Sequence, residues 1–212
     1  VTNWAWRGYK RYIRDDVRLE QEFRVKDFLE EVDRRARRWQ IGLDESLLEP
    51  SFLLQDAQSW VMIPKTFGAD GFVRFLHHAD TKDQLTRLVL ARQNPMSARE
   101  RMFYVESIEL CQRYDQFCIQ SKIPHDKRYV KRFLAHLFPH LFTTLVDAEE
   151  ERLVAALLDI PPTIYGAYER RQFEIMRRVQ QLLKPQWSEL SVYTRASMPL
   201  YMLEAYAKED VI

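Results

Sequence analysis

From Ser97 to Ile123 the chain reads SARERMFYVESIELCQRYDQFCIQSKI, fenced by Pro95 before it and Pro124 after it. Proline bounds helices because it has no N–H and restricts the residue before it. Ser97 and Glu100 form a capping box, in which the hydroxyl accepts from one free backbone N–H and the carboxylate reaches back to another. At about 100° per residue, Phe103, Tyr104, Ile108, Leu110, Cys111, Tyr114, Phe117, Cys118 and Ile119 share one arc of roughly 200°. Glu106, Glu109, Gln112, Arg113, Gln116 and Gln120 fill the remainder. Surface helices carry a narrower apolar stripe, so this segment is expected to have neighbours on two or three sides. The expected fold is all-α, an irregular multi-helix bundle around this central helix.

Asp115 interrupts the apolar arc, on the side of Tyr104, Ile108 and Cys111. A buried carboxylate needs a cation or several donors, or it becomes neutral. Asp115 is therefore a candidate buried polar residue. One reading makes it a catalytic acid or metal ligand, the other an ion pair that holds two helices in register. With no companion carboxylate at ligand spacing, the structural reading is preferred.

Composition narrows the function classes. Hydrophobic residues make up 46% and aromatics 13%, too much for a disordered chain. Charged residues make up 30% yet balance to +1, so no global basic or acidic signal points to a polyanion or polycation partner. Glycine occurs only five times, and neither GxGxxG nor GxxxxGK[ST] is present. No apolar run approaches the length of about 20 residues that spans a bilayer, so no transmembrane segment is expected. Cys111 and Cys118, seven residues apart on one helix, lie about 10 Å apart, too far for a mutual disulfide. As small apolar residues they suit an intracellular, reducing compartment. The first residue is Val, which also fits a processed form or a segment of something longer, such as a mitochondrial protein after presequence removal.

Residues 1–212 are expected to form a single helical domain. Its N-terminal arm, about residues 1–16, interleaves Trp4, Trp6, Tyr9 and Tyr12 with Arg7, Lys10, Arg11 and Arg14. That mixture suits a membrane interface, a nucleic-acid strand or a neighbouring subunit, or equally a helix whose aromatics join the core. Val25, Leu29, Val32, Ala36 and Trp39 form a helical seam ending in Arg34, Arg35, Arg37 and Arg38. Residues 40–66 read as an irregular connector that wraps the core in short pieces (46–48, 51–58 and 60–63); the last could be extended, but no partner strand is evident. Helices follow near 69–78 and 82–93, the second with a Thr81–Gln84 capping box. Asp126 caps the next, Asp147 fronts an acidic helix to Leu158, and a long helix runs through Leu183.

His77, His78 and Asp80 cluster, and His136 with His140 are four apart, but the first set lacks a third ligand and Pro139 disturbs the second. HExxH, paired ExxH, GxSxG, CxxC and kinase signatures are absent. No metal, cofactor or catalytic residue is assigned. Arg170, Arg171, Arg177 and Arg178 are doublets seven apart, read as a basic stripe along one helix. With Trp4, Trp6, Tyr9, Arg11 and the Arg34–Arg38 group they are the candidate interface residues, fit for carboxylates and aromatics of other protein subunits or for an anionic surface of RNA or lipid headgroups. No stretch carries a family motif. The sequence thus favours a non-catalytic interaction or scaffold subunit of a larger assembly. The alternatives are a helical RNA-binding module and an enzyme without linear motifs.

Overall fold

The computed structural model describes residues 2–14, 18–55, 63–64, 68–92, 96–145, 147–161 and 168–207. Over these the fold is all-α, with eleven helices: α1 (Thr2–Tyr12), α2 (Arg18–Gln40), α3 (Pro50–Leu53), α4 (Ala69–Leu76), α5 (Ala79–Ala91), α6 (Met96–Ser121), α7 (Lys127–Leu137), α8 (Ala148–Leu157), α9 (Tyr168–Leu182), α10 (Lys184–Trp187) and α11 (Val192–Ala207). The chain gathers into two compact units. One joins residues 1–26 to 139–212, the other is residues 27–138, and the division falls within α2.

In the unit of residues 27–138, α6 packs against α4, α5 and α7, as its broad apolar arc requires. Its buried stripe is narrower than the arc: Ser107, Leu110, Tyr114 and Cys118 are covered, whereas Ile119 is 77% exposed. The Ser97–Glu100 capping box, Phe103 and Tyr104 fall on side chains outside the described ones. The helix stops at Ser121 because Lys122 turns to φ 51°, and the Ile123 N–H folds back onto the Cys118 carbonyl at 3.1 Å. Around it the core is aromatic. Phe72 stacks on Tyr129 at 5.8 Å and meets Tyr114 edge-on at 5.4 Å, an arrangement that adds to simple area burial. On α2 the buried seam is Val32, Ala36 and Trp39, and Phe28 takes the place expected for Leu29.

Two local expectations change here. Thr81 and Gln84 are not a capping box, because α5 starts earlier, at Ala79 after His78. Both side chains are buried instead, and Gln84 donates to the Glu106 carbonyl of α6 at 3.0 Å. The connector over 40–66 holds a 3-10 turn at Ser46–Leu48 and the short α3, as its prolines suggest. Ile63–Pro64 does have a partner, a two-residue parallel pairing with Leu54–Gln55. The residues between those two segments, Trp60 included, lie outside the described ones.

The unit of residues 1–26 and 139–212 has its own core, built from α1, α8, α9 and α11 with Tyr12, Leu145, Val154, Leu158, Ile175, Val179 and Met198 among its members. Here α1 lies against α11 with little between them. A Cβ on Gly8 would sit 2.8 Å from the Met202 backbone nitrogen, so only glycine permits this approach. Pro199 inside α11 has no N–H to offer the preceding turn, and nearby the Ala196 carbonyl accepts the Thr144 N–H at 2.9 Å. Thr143 and Leu145 are buried without regular structure, and one side chain meets three of their polar groups. Gln172, fully buried, accepts from the Thr143 N–H (2.8 Å) and hydroxyl (2.6 Å) and donates to the Leu145 carbonyl (3.1 Å). Asp147, expected as the first residue of its helix, instead caps α8, accepting from the Glu149 and Glu150 amides.

Candidate functional site

The basic–aromatic arm is helix α1, and its two residue types separate by face. Tyr12 is buried and meets Tyr201 edge-on at 5.5 Å, Tyr9 packs against the core, and Trp6 stands edge-on to Tyr9 at 5.8 Å. The Trp4 side chain lies outside the described ones. On the other face, Arg7, Lys10 and Arg11, with Arg14 in the turn after the helix, line a cleft of about 620 Å³ together with Tyr201, Glu204 and Ala205 of α11. Arg11 Nε donates to Glu204 Oε2 at 2.6 Å, and both side chains remain about a third or more exposed.

The other arginines are mostly engaged within the fold. Arg35 donates to Glu31 (2.6 Å), the Ser46 carbonyl (2.6 Å) and Glu49 (2.8 Å), with its guanidinium 4.1 Å above the Phe52 ring. Arg34 pairs with Glu31, Arg38 pairs with Asp44, and Arg37 is exposed. Hydrogen bonds from Arg38 and then Ser46 hold the Asp44 carboxyl well below the usual range. Arg170, Arg171, Arg177 and Arg178 do not form one exposed stripe. Arg170 is exposed, whereas Arg171 is buried, its Nε 2.5 Å from Glu151 Oε1. Arg177 pairs with Glu174 on its own helix at 2.8 Å, and Arg178 donates to the Leu158 carbonyl at the end of α8 at 3.3 Å.

Asp115 sits at the edge of the core, 35% exposed, and not within it. Its carboxylate oxygens lie 2.6 Å from His125 Nε2 and 3.1 Å from Lys127 Nζ, in the register-holding arrangement. Among the described residues no three His, Cys, Asp or Glu side chains converge as a metal would require. His77 bonds the Leu48 carbonyl at 3.0 Å. His136 is fully buried among the rings of Phe28, Phe52 and Phe133, where burial, and then the Arg92 charge, push its pKa down to about 3. Burial raises the Cys118 thiol, which keeps it protonated and unreactive. Cys111 is half-buried.

Two features escape sequence reasoning. One is a hydroxyl cluster on Glu22: Tyr12 donates to its Oε1 at 2.9 Å, Ser191 does so at 2.8 Å, and Thr194 also bonds it. Its members are far apart in the chain, so no spacing announces them. The other is a second cleft, of about 630 Å³, in the unit of residues 27–138. There α2 ends at Gln40, and Gly42, with φ +73°, reverses the chain. The reversal leaves Ile41 70% and Leu43 63% exposed, and Leu43 lines the cleft with Trp39 and Leu90. The charged rim is paired within itself, Arg38 to Asp44 and Lys82 to Glu45. The glycine and its apolar neighbours are visible in the sequence as a helix stop; their exposure is not. Among the described residues no helix is long and apolar enough to cross a membrane. Comparison with protein-family models, with curated proteins and with solved structures finds no match to this chain.

Proposed function

We propose that this chain is a non-catalytic interaction subunit of a larger protein assembly. The observation that carries this reading is the cleft behind Gly42. Trp39, Leu43 and Leu90 line it beside Gln40, Thr86, Asp44, Glu45 and Lys82, and those charges are paired, Asp44 with Arg38 and Glu45 with Lys82. Exposed apolar side chains bordered by paired charges suit a protein interface. The occupant is an apolar segment of another protein chain. The arginine groups named from the sequence support the reading less, because most of them hold this fold together.

The Glu22 hydroxyl cluster is the nearest thing to catalytic machinery, yet none of its members lines either cleft. It links α1, α2 and α11 by hydrogen bonds and reads as a structural clamp. Purification of the tagged protein from its source under gentle lysis tests the proposal. Defined protein partners should follow the native chain and be lost from Leu43→Asp and Leu90→Asp, two exposed positions. A monodisperse chain with no partner, or partners kept by both variants, would sink it.

A further inference from the structure

We draw no further inference here: the strongest candidate, the apolar patch of Val105 and Ile119 on one side of α6, 59% and 77% exposed, carries nothing because no feature of the structure shows what covers it.

Discussion

Arg171 Nε lies 2.5 Å from Glu151 Oε1, joining α9 to α8 with the two side chains 7% and 0% exposed. A pair so deeply covered costs much desolvation, and its gain over an apolar pair is small. Removing one partner is different, because the other is left charged in a dry place. Arg171→Met or Glu151→Leu alone should destabilise by about 3–5 kcal/mol, and the double variant should recover most of that. Urea denaturation of the four proteins checks this; additive losses would show that the two residues do not act as a unit.

His136 predicts an acid-sensitive fold. Its neutral form is the one that fits among Phe28, Phe52 and Phe133, with a folded pKa of about 3 against an ordinary value of 6.5. The unfolded chain therefore takes up the proton first as pH falls. Stability is unaffected by this group above about pH 7 and declines as pH drops through 6.5 towards 3. Between pH 7 and pH 5 the loss from this one residue is about 2 kcal/mol. His136→Phe should flatten the pH dependence over that window, whatever it does to stability at pH 7.5. An unchanged slope in urea midpoints measured from pH 7.5 to 5 would mean that the ring is not the cause.

Gly42 should tolerate asparagine better than alanine. Nothing lies within 4 Å of a Cβ placed there, so the cost is one of backbone conformation alone at φ +73°. Gly42→Ala should lose about 1 kcal/mol and Gly42→Asn distinctly less. Equal losses in thermal or urea unfolding would contradict the conformational explanation.

Gln172 should prove irreplaceable by its closest relatives. Gln172→Leu leaves the Thr143 amide and the Leu145 carbonyl without the partner described above, and a buried unsatisfied group costs about 1–3 kcal/mol. Gln172→Glu keeps the acceptor and loses the donor, so it should retain the Thr143 contact only. Hydrogen exchange at the Thr143 amide separates the two variants, with protection lost in the first and kept in the second.

Legibility from sequence followed the range of the interaction. The cap at Asp126 bonds an amide two residues away and is where the residue pattern puts it, whereas Asp147, which the pattern places as the first residue of its helix, is that helix's cap. The helical class follows from equally local rules, but proline is a less certain stop: Pro199, which from the sequence would divide the tail into two short helices, lies inside α11. Arg171 shows where such rules end. It stands beside Arg170 with the same side chain, yet it is buried against Glu151, 20 residues earlier, while Arg170 is exposed. Thr81 and Gln84 had capping spacing, but a helix that began at Ala79 carried them inward. Asp115 was placed on the apolar arc correctly by angle, yet the arc was wider than the stripe that α4, α5 and α7 cover. The apolar cleft was hidden for a related reason, since exposure of Leu43 depends on what fails to pack on it.

The close seating of Gly8 on Met202 has a consequence for synthesis. Residues 27–138 form one unit, and they interrupt the sequence of the other. In a chain made from its N-terminus, α1 is among the first helices to exist, and α11, which carries Met202, is the last of those described. The interrupting unit has all its helices in hand while the interrupted one still lacks the surface that α1 must cover. A ribosome paused before Val192 would therefore carry one finished core and one open core, with the apolar face of α1 waiting for residues not yet joined.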